Sequence, residues 1–396
     1  MNLYIRVFFN SRRKIYFLLL LLSCFVFLVR PILFPRLAML HSSRAAEKAV
    51  RAAKDPCNNV RNRIVHFDLK GAPPKVEYYR RLFPLLRRLN ATAVLMEYED
   101  MFPYNGDLLM LQRPDAYTMR EIHQICKLAR KNKLEVIPLL PTLDRMEFIL
   151  KHKRFAHLRE NSTEPVTICP SNPQSYDLIF ELLRQIRDAH SKVGELTTIH
   201  IGALEALHVA EDERCRGRMN SASGRGALSL TLEHIAKVSR FAKEELNFDR
   251  VLVSHDLLSQ ISPSLLQSYQ LHELIVPVIS QHNPHSNATA SNLMIKRFSA
   301  LFRNVMLAGA FKGANGSDQN VDLSKKVNGV ILNGRSRLRH KGALFELFPI
   351  GIPTLTSELL YLQTTPELNK DDLVDQTLAS LSMCRPKESL EILSVR

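Results

Sequence analysis

The chain runs to 396 residues, 45% hydrophobic and 23% charged. That is enough apolar material for one large domain or two ordinary ones, and it excludes whole-chain disorder. Six cysteines are too few for a disulfide-dense small scaffold. The formal charge of +15 would suggest nucleic acid, but residues 1–63 hold 12 Lys or Arg against only Glu47 and Asp55. The remainder carries only about +5, too little for a basic binding face, so no nucleic-acid partner is expected.

Residues 1–14 read as a short cytosolic tail. Ile15 to Val29 is an unbroken apolar run between Arg12-Arg13-Lys14 and Arg30. At 1.5 Å per residue it covers roughly 22 Å of a roughly 30 Å hydrocarbon core. Extension to Pro35 passes one arginine that can snorkel to the interface. Residues 15–35 are therefore expected as a transmembrane signal-anchor. A cleaved signal peptide is the rival, and no small-x-small cleavage site follows the run. Flanking bases are nearly balanced, leaning to a cytosolic N-terminus. Four glycosylation sequons, at Asn90, Asn161, Asn287 and Asn315, break that tie. The expectation is a single-pass type II membrane protein of the Golgi or endoplasmic reticulum, with a lumenal domain. Residues 36–62 form a basic, Ala-rich stem. The cysteines after it lack any C-x-x-C pair, so no metal site and no cofactor are expected. Cys57 and Cys384 could pair if the termini meet.

From Arg63 onward, short β-branched runs alternate with stretches of helical period. Strands are predicted at 64–69, 92–98, 134–140, 197–202, 249–255, 274–280, 305–311 and 329–334. Helices are predicted at 75–89, 118–132, 145–158, 173–189, 226–246, 263–271, 289–303 and 342–362. Eight such units fit an α/β fold of the closed (β/α)8 TIM-barrel type over residues 63–363, followed by a C-terminal segment, 364–396. An open doubly wound sheet is the alternative, but no Gly-rich phosphate turn follows the first run.

A barrel of this kind carries its chemistry at the C-terminal strand ends. The residues gathered there are Asp68 and Lys70, then Glu97, Glu99 and Asp100, then Asp144, Arg145 and Glu147. Glu205 and His208 follow, then His255 and Asp256, then His282, Lys312, Arg335 and Arg337. Asp68, Glu97, Glu99, Asp100, Glu147 and Arg335 are candidate substrate contacts. Several carboxylates without a phosphate cradle suit sugar chemistry better than phosphoryl transfer. The histidine separations match no ligand motif.

Longer stretches carry a family resemblance: Arg63–Lys75 (RIVHFDLKGAPPK), Glu97–Tyr104 (EYEDMFPY), Met146–His152 (MEFILKH), Phe155–Glu160 (FAHLRE) and Ala310–Ala314 (AFKGA). Together with the strand spacing, over roughly residues 60–360, they resemble the hexosaminidase D-like branch of glycoside hydrolase family 20, the β-N-acetylhexosaminidases. The resemblance implies a (β/α)8 barrel that removes terminal N-acetylglucosamine or N-acetylgalactosamine from glycans with retention. In that chemistry the substrate's own acetamido carbonyl is the nucleophile. An Asp-Glu pair after strand four orients the acetamide and supplies the general acid/base, within the motif His-x-Gly-x-Asp-Glu.

Here that motif reads His200-Ile-Gly-Ala-Leu-Glu205. The resemblance makes Glu205 the candidate general acid/base and leaves Leu204 where the orienting carboxylate belongs. Asp256, after the next strand, is the candidate substitute. The family also implies tryptophans lining the sugar subsite, and this chain contains none. The expected positions fall at Ser254, Ser280 and Arg335. Leu143-Asp144-Arg145 departs from the family's Phe-Gly-His. The function expected is a β-N-acetylhexosaminidase-like protein acting on terminal N-acetylhexosamine of glycoconjugates, with weak or absent hydrolysis. The alternative is a catalytically silent protein that binds glycans or another protein.

Overall fold

A computed structural model describes residues 60–203, 208–220, 226–254, 256, 258–280, 288–311, 327–337, 340–343 and 348–363, with Asp372, Gln376, Thr377 and Ser380. Within them eight parallel strands close into a barrel in chain order. They are β1 (Asn62–Asp68), β2 (Ala93–Glu97), β3 (Glu135–Leu139), β4 (Thr198–His200), β5 (Arg250–Ser254), β6 (Val276–Ser280), β7 (Met306–Ala310) and β8 (Gly329–Gly334). Ile64 of β1 stands opposite Ala93 of β2 on one side and Ile331 of β8 on the other, which completes the ring. The open doubly wound alternative is excluded.

The period of two along β1 sorts its side chains. Ile64 packs inside the barrel with Ala93, Leu95, Ile137, Leu252 and Ile331. Val65 and Phe67 belong to the layer between strands and helices. His66 and Asp68 continue the inward phase, which carries both to the mouth. At the narrowest seam β3 meets β4 through Leu139 opposite His200 alone. Just beyond, Gly202 adopts φ +74°, and a Cβ there would lie 3.1 Å from Pro141 Cα. Only glycine fits that close approach without strain.

The helices follow from apolar stripes and end signals. In α1 (Val76–Arg88), Tyr79, Leu82, Phe83, Leu85 and Leu86 form the buried face. A Thr118–Glu121 capping box starts α2 (Met119–Lys131). The expected helix 145–158 is instead the short α3 (Glu147–Leu150) and a 3₁₀ turn at Lys153–Leu158, separated by extended His152. All four α3 residues are buried, so no solvent face extends the helix. Asn172 caps α4 (Pro173–Ser191), with Pro173 in the first turn. An unexpected α5 (Glu213–Asn220) has the sequence ERCRGRMN, which offers no apolar stripe to read. After α6 (Ala227–Glu244), the expected helix 263–271 is split at left-handed Gln270 into α7 (Pro263–Ser268) and α8 (Leu271–Leu274). The last two are α9 (Ala288–Leu301) and α10 (Phe348–Tyr361).

One expectation is overturned. Among the described residues no helix is long and apolar enough to cross a membrane, which corrects the reading of a membrane-anchored type II protein with a lumenal domain. The apolar run at 15–35 and the stem at 36–59 lie outside the described residues.

Candidate active site at the barrel mouth

The first two strand ends and the loop after β8 build a buried ionic network. Lys70, at 2% exposure, places Nζ 2.8 Å from Asp68 Oδ1, 3.2 Å from Glu97 Oε1 and 3.2 Å from Glu99 Oε1. Burial works against the ammonium charge, but these three carboxylates outweigh it and push the Lys70 pKa up. Glu97 also faces His66 Nε2 at 2.9 Å. Burial opposes the Glu97 charge, and Lys70, His66 and Arg335 overcome it, holding its carboxyl well below the usual range. Burial wins at Glu99, whose carboxyl is raised although Lys70 and His340 pull it the other way.

His340, far along the chain, closes the network. Its Nδ1 donates to Glu99 Oε2 at 2.6 Å, and its Nε2 lies 3.2 Å from Asp100 Oδ2. Lys151 Nζ contacts the same Asp100 oxygen at 3.0 Å, so the carboxylate draws both cations together. Asp68 Oδ2 accepts the backbone N–H groups of Ser336 and Arg337, which pins the loop after β8 onto β1. The Arg337 guanidinium lies over Gly71, where a Cβ would come within 2.4 Å of it. The strand-eight arginines are thus partly built into the mouth rather than set on a solvated loop. Four of the candidate substrate contacts, Asp68, Glu97, Glu99 and Asp100, are engaged with these cations.

Burial works against protonated His340, but Asp100 and Glu99 outweigh it and raise its pKa. A raised folded pKa gives stability that is complete below the unfolded value near 6.5 and lost as pH rises through the folded value. Asp100 is held low by His340 and Lys151 against its burial, so its contribution is lost instead as pH falls through its depressed pKa. The melting temperature is therefore expected to fall as pH rises above about 6.5, and His340→Gln to flatten that limb. Parallel curves for the two proteins would contradict this assignment.

Beside the network lies a cavity of about 40 Å³, lined by residues of nearly every strand end. Ser254, Ser280 and Arg335, the three positions where the sequence resemblance implies tryptophan, all line it. His66, His200, Glu97, Asp144 and Arg145 line it too. His200 Nδ1 accepts the Gly202 N–H at 3.0 Å, which leaves the proton of the neutral ring on Nε2. Burial, with His66 nearby, lowers the His200 pKa to about 3, so the ring stays neutral. Arg335 has lowered pKa through burial and the neighbouring Arg145, and its Nε makes no hydrogen bond among the described residues.

Of the other expected residues, Glu147 is buried on α3, with Oε2 lacking a hydrogen bond among the described residues. Asp256 sits just after β5, its carbonyl accepting the Ser259 hydroxyl, and is not among the cavity's lining residues. His208 pairs with Glu164 and Glu211, away from the mouth network. Asn90 donates its amide to Gln363, and Asn161 to Glu211. Leu204, Glu205, His255, His282, Asn287, Lys312 and Asn315 lie outside the described residues. Ala203, immediately before Leu204, holds φ +59°, a conformation costly for a residue with a side chain. Sequence reasoning missed Lys151 and His340 as network members. His340 is 241 residues from Glu99, so no local pattern joins them.

No protein-family model matches the chain. Among curated proteins, it is 35% identical over 320 residues to human hexosaminidase D, covering 76% of this chain and 65% of the human protein. It is 34% identical over 313 residues to bovine hexosaminidase D, covering 74% and 89%. The match thus spans about two thirds of the human relative's length and most of the bovine one's. Among solved structures, a Bacteroides fragilis β-N-acetylhexosaminidase superposes with TM-score 0.62 at 13% identity, over 82% of this chain and 71% of that one. A Flavobacterium johnsoniae chitobiase gives 0.60 at 12% identity, over 82% and 51%. At such identities these superpositions establish the fold.

Proposed function

This chain belongs to the hexosaminidase D family, and from that premise we propose that its barrel mouth faces the terminal N-acetylhexosamine of glycoconjugates while hydrolysis is crippled or absent. The observation that carries this reading is Leu204 immediately before Glu205. Substrate-assisted cleavage needs a negative partner for the acetamide N–H and for the positive charge that grows on the cyclising ring. A leucine supplies neither. Loss of one such preorganised group costs about a hundred- to a thousandfold in rate.

Two further observations support the reading. The positions expected to carry tryptophan are Ser254, Ser280 and Arg335, and they line the mouth cavity. An aromatic ring offers roughly 150–250 Å² of contact area that serine cannot. Of the two acids that line the cavity, Glu97 is already paired with Lys70 and Asp144 lies 3.9 Å from Arg145. Glu205 keeps the role of candidate acid/base, and Asp256 is the one substitute carboxylate we assign, acting only if the loop after β5 brings it to the acetamide.

The test is turnover of aryl N-acetylglucosaminide and N-acetylgalactosaminide by the purified chain, beside a catalytically active hexosaminidase D. The expected kcat/KM is lower by at least about a hundredfold. Turnover within a few-fold of the active enzyme would overturn the proposal. In that event Asp256→Asn, run in the same assay, would reveal whether that acid has taken the vacant role.

A further inference from the structure

Outside the mouth, three buried side chains converge on one point. Glu160 and Cys169 stand on the two legs of a small hairpin joined by the Arg159–Ile168 bridge, and Cys215 comes from α5. Their exposures are 2%, 0% and 0%. The sulfurs are 3.7 Å apart, and Cys215 Sγ is 3.3 Å from Glu160 Oε2. All three donor atoms lie within 4.8 Å of one another. We propose that Glu160, Cys169 and Cys215 bind a structural zinc ion.

The spacing fits. Zinc at about 2.3 Å from thiolates in tetrahedral geometry places two sulfurs about 3.8 Å apart; at about 2.0 Å from a carboxylate oxygen, it places that oxygen about 3.5 Å from each sulfur. Two thiolates with one carboxylate favour zinc over the harder magnesium or calcium. The carboxylate is also held in place. Glu160 Oε1 accepts the backbone N–H groups of Ala210, Glu211 and Asp212 at 2.7, 3.0 and 3.2 Å, which aims Oε2 at the sulfurs. Ligand orientation by such outer contacts is characteristic of built metal sites. Ser171 Oγ, 3.0 Å from Cys215 Sγ, stands where it can hold a water in the fourth position.

Binding displaces two thiol protons and leaves the centre with one net negative charge. Arg218, which donates to Ser171 Oγ at 3.1 Å, is placed to offset it. The ion would clamp the hairpin after α3 to α5, the helix that follows Glu205 in the chain. Sequence spacing hides the site, since Cys215 is 46 residues from Cys169 and 55 from Glu160.

The experiment uses the full chain purified with zinc, desalted, and analysed by inductively coupled plasma mass spectrometry. About one zinc per chain is expected, absent from Cys169→Ser/Cys215→Ser. Cobalt substitution should give thiolate-to-cobalt charge-transfer absorption in the wild type and none in the double variant. Glu160→Gln keeps both thiols and guards against a misfolded double variant; it should weaken zinc binding by at least about tenfold. Zinc content in the wild type no higher than in the double variant would overturn the proposal. So would a peptide map of the purified chain showing Cys169 and Cys215 joined as a disulfide.

Discussion

Lys70→Met is expected to destabilise the fold by about 3–5 kcal/mol, the cost of removing one partner from a buried ionic cluster. The ammonium is 2% exposed and is shared by Asp68, Glu97 and Glu99. Without it, three carboxylates at the ends of β1 and β2 face one another with little access to water, and the Coulomb cost grows as the local dielectric falls. Glu99 already leans toward its protonated form because of burial, so the variant can relieve part of the repulsion by taking up protons. The penalty should therefore shrink as pH is lowered toward 5, whereas a lost packing contact would be insensitive to pH. Denaturant unfolding at pH 7 and pH 5 reads both quantities. A loss below about 1 kcal/mol, the scale of an exposed ion pair, would show that the network carries no such weight.

Restoring the missing carboxylate alone is expected to restore little activity. Leu204→Asp should raise kcat/KM on aryl N-acetylglucosaminide by less than about tenfold, although a single preorganised group can contribute a hundredfold or more. The reason lies in the cavity at the strand ends. Ser254, Ser280 and Arg335 line it, and none presents the flat apolar face on which a pyranose ring and its acetamido methyl pack. Binding energy from such contacts positions the reacting atoms, and without it an added acid meets a poorly held substrate. Full activity from the single change would show that the aromatic argument is mistaken and that position 204 alone decides the chemistry.

Much of the barrel was legible because parallel strands buried on both faces appear as continuous β-branched runs. All eight fell within a few residues of the observed strands, and the helices with strong apolar stripes, α1, α2 and α4, were equally clear. What escaped was set by contacts rather than pattern. Gln270 breaks one expected helix by adopting φ +59°; the residue has no intrinsic preference that announces this. The run at 145–158 has helical period, yet Glu147 to Leu150 are buried all round, so the helix is cut short beneath the mouth. Asp68, Glu97, Glu99 and Asp100 were legible as a cluster of acids at strand ends. The pairing of Glu99 and Asp100 with His340, and of Asp100 with Lys151, was not, because those cations arrive from the loops after β3 and β8. The motif around Glu205 was readable only through the family resemblance, since Leu204 in isolation is an ordinary apolar residue.

In the function proposed above, the mouth has lost its preference for the cyclised, positively charged form of the sugar. The direct measurement is the affinity of the purified chain for a thiazoline mimic of that cyclised intermediate, compared by calorimetry with its affinity for N-acetylglucosamine. A site without a negative partner for the ring should bind the two within about tenfold of each other. An intact transition-state-complementary site binds such mimics at least about a hundredfold more tightly than the ground-state sugar. A ratio of that size would show that the mouth still favours the cyclised form and that its chemistry is intact.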